Sequence, residues 1–115
     1  MRYTYSLKNN YDFRRLYNRG KNAVGRYLAV YTNRGKKEEN RLGITVSTKV
    51  GNAVTRNRVR RRLREAYRIN ENAFMAPIDL IIVARVRCAS ATFKQIEKEL
   101  LTLSSKLGIL KVNEE

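Results

Sequence analysis

The 115-residue sequence predicts an α+β fold, a single domain in which helices pack on a mostly antiparallel four-stranded sheet. Three observations lead there. Residues 26–32 (RYLAVYT) and 41–47 (RLGITVS) alternate with the period of two that marks a half-buried strand. Residues 78–86 (IDLIIVARV) form a continuous apolar run, the pattern of a central strand covered on both faces. Three further segments carry apolar residues at helical spacing. The resulting order is helix, strand, strand, helix, strand, helix.

The first helix is read from residues 9–20 (NNYDFRRLYNRG). Asn9 suits the N-cap, Asp12 the positive end of the helix dipole, and Gly20 the position past the C-terminus. Phe13, Leu16 and Tyr17 fall on one face. In the first strand Tyr27, Ala29 and Tyr31 point one way and Leu28 and Val30 the other. In the second, Leu42, Ile44 and Val46 oppose Arg41, Gly43, Thr45 and Ser47. With residues 33–40 (NRGKKEEN) as its tip, this pair is expected to form a hairpin, apolar on one face, polar and partly aromatic on the other. A ligand could lie on that second face. The last helix starts at a capping box, Thr92 with Gln95, carries the stripe Phe93, Ile96, Leu100, Leu103 and Leu107, and ends at Gly108.

Charge narrows the partner. There are 25 basic residues against 10 acidic ones, a formal net charge of +15. Such self-repulsion points to a polyanion, either nucleic acid or an anionic membrane. The charge concentrates in residues 51–68 (GNAVTRNRVRRRLREAYR), where Arg56, Arg58, Arg60, Arg61, Arg62, Arg64 and Arg68 face only Glu65. On a helical wheel Val59, Leu63, Ala66 and Tyr67 make a core stripe, and Asn57, Arg60, Arg61, Arg64 and Arg68 lie opposite. Arg56 and Arg58 sit near the helix N-terminus, where cations are unfavourable unless an anion neutralises them. All seven basic positions are arginine, whose fork suits phosphates and whose plane stacks on bases. The helix lacks the exposed Trp, Phe or Leu face of a membrane-lying helix. Nucleic acid is favoured.

Composition argues against catalysis by the protein itself. The chain has no histidine, and its carboxylates show no metal-binding spacing. The single cysteine, Cys88, reads as a small buried hydrophobe and leaves no disulfide framework. With no signal-like or membrane-spanning run, the chain is expected to be cytoplasmic.

The arginine segment resembles the signature of the bacterial ribonuclease P protein subunit, G-N-A-V-x-R-N-R-x-[KR]-R-x-x-R-[EQ]. Gly51, Asn52, Ala53, Val54, Arg56, Asn57, Arg58, Arg60, Arg61, Arg64 and Glu65 meet each fixed position. The segments YDFRRLYNRG, RYLAVYT, RLGITVSTKVGNAV and DLIIVAR are similar to neighbouring elements of the family. The resemblance implies a subunit that assists a catalytic RNA in endonucleolytic removal of the 5′ leader from precursor tRNA. Catalysis would use Mg²⁺ bound mainly by the RNA, with no metal or catalytic residue assigned to the protein. It implies a left-handed βαβ crossover around the basic helix. It assigns RNA-subunit binding to Arg56, Asn57, Arg58, Arg60, Arg61, Arg64 and Arg68. It assigns the single-stranded leader to a cleft lined by Phe13, Tyr17, Ala29 and Tyr31, with Arg56 and Asn57 at its edge. Tyr17 stands where the family often has Phe, and Arg62 where an apolar residue is frequent. The whole chain, 1–115, is expected to be one RNA-binding domain with flexible tails at 1–7 and 109–115. Its partners would be the RNA subunit and precursor tRNA, with no membrane; protein oligomerisation stays open. A ribosomal or RNA-chaperone-type binding protein is the alternative, and a nuclease acting alone is a third.

Overall fold

The computed structural model describes residues 4–111. The elements run β1 (Thr4–Ser6), α1 (Asn10–Arg19), β2 (Lys21–Val24), β3 (Leu28–Arg34), β4 (Asn40–Thr45), α2 (Ala53–Ile69), β5 (Ile78–Ala84) and α3 (Phe93–Lys106). Short 3-10 turns lie at Thr48–Val50, Glu71–Ala73 and Val86–Ser90. The α+β class and the three helices agree with the expectation. The sheet corrects it: there are five strands rather than four, in the order β1-β4-β5-β3-β2. The sheet is mixed rather than mostly antiparallel, because β1–β4 and β4–β5 are parallel while β5–β3 and β3–β2 are antiparallel.

The predicted hairpin of residues 28–45 is absent, and β5 is the reason. Every residue of β5 except Val83 is buried, so the strand needs a neighbour on each edge and a layer on each face. It takes the place between β3 and β4. The connecting loop crosses the start of β5 instead of turning back, and Gly35 N–H donates to the Pro77 carbonyl at 3.0 Å. The two strands missing from the sequence reading are the edges. β1 has three residues and β2 four, both largely exposed, too short and too polar to display an alternation.

One sheet face carries Leu28, Val30, Leu42, Leu80, Ile82 and Ala84 against α2 and α3. From α2 come Val59, Leu63, Ala66 and Tyr67, the stripe read from the sequence, all buried. From α3 come Ile96, Leu100 and Leu103. Burial of each large aliphatic side chain contributes about 1.5–3 kcal/mol, so this layer holds α2 by one face and leaves its arginines outward. The parallel strands β4 and β5 flank α2 in the chain, forming the βαβ unit that the resemblance implies.

Local signals set the helix ends. The Asn9 side chain accepts from Tyr11 N–H, that of Asn52 from Thr55 N–H, and Thr92 with Gln95 forms a reciprocal capping box. Gly20 ends α1 as expected, its N–H donating to the Leu16 carbonyl at 2.9 Å. Its backbone is extended, and glycine is required because a Cβ there would lie 2.6 Å from the Leu16 carbonyl oxygen and 2.8 Å from that of Thr32. Parts of the tails are tied down. Leu7 N–H donates to the Leu42 carbonyl at 2.8 Å, Lys111 N–H to that of Ala73 at 2.8 Å, and Leu7 and Ile109 are buried. Residues 1–3 and 112–115 lie outside the described residues.

The opposite sheet face receives α1, through Leu16 and Phe13 against Leu7, Ile81, Tyr31 and Val83. A polar lock fixes its position. Arg41 on β4 donates from Nε and Nη2 to both oxygens of Asp79 on β5, at 2.9 and 2.7 Å, and from Nη1 to Asp12 on α1 at 3.0 Å. All three side chains are largely shielded from solvent. The hydrogen bonds to Asp79, against the opposing effect of burial, hold the Arg41 guanidinium above its ordinary pKa. Arg41→Ala should therefore strand two shielded carboxylates and cost about 3–5 kcal/mol, read as a drop in the urea midpoint. Arg41→Leu combined with Asp12→Asn and Asp79→Asn should recover part of that loss.

Candidate nucleic-acid interface

The strand register places the aromatic cleft. On the α1 side of the sheet Gly43, Ile81, Tyr31 and Asn22 form one row, and Thr45, Val83, Ala29 and Val24 the next. α1 covers the first row and reaches the second at Thr45, through Tyr17, and at Val83. The Phe13 ring reaches the backbone of Gly43: a Cβ there would fall 2.6 Å from its Cζ, so the glycine is what lets the aromatic approach the sheet so closely. Tyr17 packs edge-on to Tyr31, with ring centroids 4.9 Å apart, and its hydroxyl shares a 3.0 Å hydrogen bond with Thr45 Oγ1. Phe13 and Tyr17 are 6.4 Å apart. Phe13, Tyr17 and Tyr31, expected together from the sequence, are thus one group, and Ala29 lies in the adjoining floor. Tyr17 is 37% exposed, available to a ligand while held from behind.

Two residues beyond Thr45 and Val83, on the same face, come Ser47 and Arg85. They open an adjoining cleft of about 760 Å³ lined also by Gly25, Arg26, Lys49, Arg87 and Val86. Its basic side chains were not singled out in the sequence. Nothing in their local pattern unites residues 26, 49, 85 and 87; the order of the strands does. The turn at Gly25 is shaped by Glu99 of α3, whose carboxylate accepts from the N–H groups of Arg26, Tyr27 and Leu28, each at 2.7 Å. The anion is thereby occupied by backbone donors, and the cleft keeps its positive charge.

The arginines of α2 divide among three settings. Asn57, Arg60, Arg61 and Arg64 line one shallow outer cleft with Val54. Arg61, Arg62, Arg64 and Arg68 line a second one with Phe93, where α2 meets α3. Arg58 and Arg62 reach the 86–92 segment, donating to the carbonyls of Ala89 at 3.4 Å and Ala91 at 2.9 Å. Arg62, at the edge of the core stripe, thus spreads its stem over the core and anchors its head on backbone. Arg68 pairs with Glu65, which holds that carboxyl below its usual range. Arg56 is half-buried, and its Nε is shielded without a partner among the described residues. No hydrogen bond or ring contact among the described residues joins Arg56 or Asn57 to the aromatic group; Asn57 accepts instead from Arg60.

Burial shifts two further titratable groups. Cys88 is fully buried, and burial foremost, with Glu99 adding and Arg62 opposing, pushes its thiol up to about 11. Burial likewise raises Tyr67, whose hydroxyl meets Thr4 Oγ1 at 2.7 Å. Among the described residues no three His, Cys, Asp or Glu side chains converge to hold a metal, and Asp12 and Asp79 are committed to Arg41. No helix among the described residues is long and apolar enough to cross a membrane.

Comparison with known proteins decides what this arrangement belongs to. A family model, Ribonuclease P, matches residues 1–108. The chain belongs to the ribonuclease P protein family. It is 44% identical to the ribonuclease P protein component of Clostridioides difficile over 107 residues, covering 92% of this chain and 94% of that one. It is 42% identical to that of Staphylococcus haemolyticus over 100 residues, 87% of each. Among solved structures it superimposes on the Staphylococcus aureus RNase P protein with a TM-score of 0.85 at 35% identity, covering 93% and 98% of the two chains. On the Thermotoga maritima RNase P protein the TM-score is 0.77 at 27% identity, covering 84% and 92%. As a member of this family the chain is the accessory subunit of a ribonucleoprotein that matures tRNA at its 5′ end, with the RNA subunit as catalyst.

Cys88 gives a direct check on the packing beneath this interface. The native thiol should resist alkylation at pH 8 and react only after unfolding, read by mass spectrometry. Because its folded pKa is raised above the ordinary value of 9.0, it supports the fold below that pH and loses this contribution as pH rises towards about 11.

Proposed function

We propose that the two sides of the sheet serve two RNAs. The outward face of α2, with Asn57, Arg58, Arg60, Arg61, Arg64 and Arg68, binds the RNA subunit, and Arg56 adds charge at its N-terminal end. The aromatic cleft of Phe13, Tyr17, Ala29 and Tyr31 binds the single-stranded 5′ leader of precursor tRNA. The observation that carries this reading is the partly exposed aromatic group beside a basic cleft, on the sheet face that α1 only partly covers. Aromatic faces stack on any base and basic side chains follow any backbone, so the leader is held without a required sequence. Asn57 belongs to the RNA-subunit group in this reading, since it shares a cleft with Arg60, Arg61 and Arg64. Its assignment to the leader is kept only as an edge contact reached once both RNAs are in place.

The Mg²⁺ needed for phosphodiester hydrolysis finds its ligands on RNA in this proposal. The protein supplies cations to each RNA on its own face, lowering the repulsion that the metal must otherwise screen. The +15 charge, the single buried cysteine and the RNA partners are consistent with action in the cytoplasm.

Adding the protein to its matched RNA subunit should stimulate leader cleavage most at low Mg²⁺, measured in single-turnover assays; no stimulation would overturn the assignment. Phe13→Ala or Tyr31→Ala in the reconstituted enzyme should weaken precursor binding by about 1–3 kcal/mol while leaving mature tRNA affinity unchanged. Equal losses on both RNAs would exclude the leader cleft. Arg60→Ala with Arg64→Ala should instead weaken assembly with the RNA subunit and flatten its salt dependence.

A further inference from the structure

α1 carries a second surface that the two RNA sites above do not use. Its inner side, Asp12, Phe13, Leu16 and Tyr17, meets the sheet. On the outer side Tyr11, Arg14, Arg15, Asn18 and Arg19 line a shallow groove of about 320 Å³. Among the described residues Arg14, Arg15 and Arg19 form no ion pair, and no protein acceptor takes a hydrogen bond from their side chains. The only acid of the helix, Asp12, is turned inward to Arg41. Tyr11 is 61% exposed, and Lys36 from the β3–β4 loop lies 5.7 Å from its ring centre. An uncompensated cluster of guanidinium groups around an exposed ring is the composition that holds single-stranded nucleic acid. A duplex backbone would use the arginines and leave Tyr11 without a purpose.

The position of the groove decides which strand it takes. α1 and α2 lie on opposite faces of the sheet, so RNA docked on the outward side of α2 faces away from it. The aromatic cleft, by contrast, is adjacent. Tyr17 forms one cleft wall, and Arg14 and Asn18 are its neighbours around the helix, at i−3 and i+1. A strand leaving the cleft over Tyr17 therefore meets Arg14 and Asn18 first, then Tyr11 and Arg15.

We propose that the outer face of α1 is a second single-strand site, which binds the part of the substrate's 5′ leader that extends beyond the cleft. The site rests on the leader reading of the cleft given above. Tyr11 stacks on a base, Arg14, Arg15 and Arg19 contact successive phosphates, and Lys36 closes the far side. Binding here adds affinity in proportion to leader length and independently of leader sequence.

The test uses the holoenzyme reconstituted with its matched RNA subunit, and precursor tRNAs whose leaders are lengthened stepwise at fixed salt and Mg²⁺. The wild type should gain affinity once the leader outgrows the cleft. The triple variant Arg14→Ala, Arg15→Ala, Arg19→Ala should lose that gain, roughly tenfold for the longest leader, and lower the salt slope for long leaders only. Tyr11→Ala should lose a smaller share without altering the salt slope. Short-leader precursor and mature tRNA should bind these variants as they bind wild type, which also reports an intact fold. The proposal is overturned if the wild type shows no gain with leader length, if the triple variant keeps the gain, or if the variant weakens short, long and mature RNAs alike. That last outcome would place the RNA subunit on α1 instead. Failure of the cleft reading is separate: Phe13→Ala would then leave short-leader affinity intact, whatever the outer face does.

Discussion

The double ion pair of Arg41 is the interaction on which the cleft depends. Three elements distant in sequence meet at one guanidinium: α1 through Asp12, β4 through Arg41 itself, and β5 through Asp79. A helix lying on a five-stranded sheet could slide along it, because apolar contacts are not directional. The guanidinium fork is directional, and it pins the first turn of α1 over one end of β4 and β5. The rest of α1 then covers the row of Gly43 and Ile81 and leaves the next row less fully covered, with Thr45 and Val83 half-buried and Ala29 buried. Were α1 to shift by one row, Phe13 would lose the bare backbone of Gly43 beneath it and Tyr17 its edge contact with Tyr31. The cleft is the less covered remainder of a face whose cover is locked at one end.

The same economy of acids explains how a chain of +15 keeps its arginines available. Asp12 and Asp79 are committed to Arg41, and Glu99 to three backbone N–H groups at the β2–β3 turn. Glu97 accepts from Asn70, which also donates to the Ala66 carbonyl at the end of α2. Among the described residues, Arg68 alone of the α2 arginines has an acidic partner, and that pair is exposed, where ion pairs contribute little. The acids thus secure the architecture, and the outward basic surfaces stay open to phosphate.

Much of this was legible in the sequence, and the parts that were not share a cause. The buried stripe of α2, the capping box at Thr92 and the pairing of Phe13 with Tyr17 follow from local period and spacing, which a single sequence displays. Strand order does not follow from local period. Residues 28–34 and 40–45 alternate as a hairpin would, and only the demand of β5 for two neighbours separates them. The edge strands β1 and β2 were hidden because an edge needs little apolar surface. The basic cleft was hidden for the same reason as the strand order, since Arg26, Lys49 and Arg85 meet only after β3, β4 and β5 are arranged. Gly20 is legible as the residue that ends α1, whereas the close approach of two carbonyl oxygens that excludes a side chain there arises only in the folded chain.

If its two faces serve two RNAs as proposed, the sheet lets a small basic subunit assist a catalytic RNA by holding rather than by reacting. Two RNA strands that are not base-paired repel at close range, because both are polyanions. A sheet about 10 Å from the layer packed on it, with arginines beyond that layer and aromatics on its other side, presents opposite surfaces to two polyanions while shielding them from each other. The protein interior between them is a packed hydrocarbon layer of Leu28, Val30, Leu80 and Ile82, fixed by the same contacts that orient α2. Movement of either surface relative to the other would have to disrupt that layer. Under the proposed assignment of the two faces, the separation between the RNA-subunit surface and the leader cleft is therefore set by the hydrophobic core.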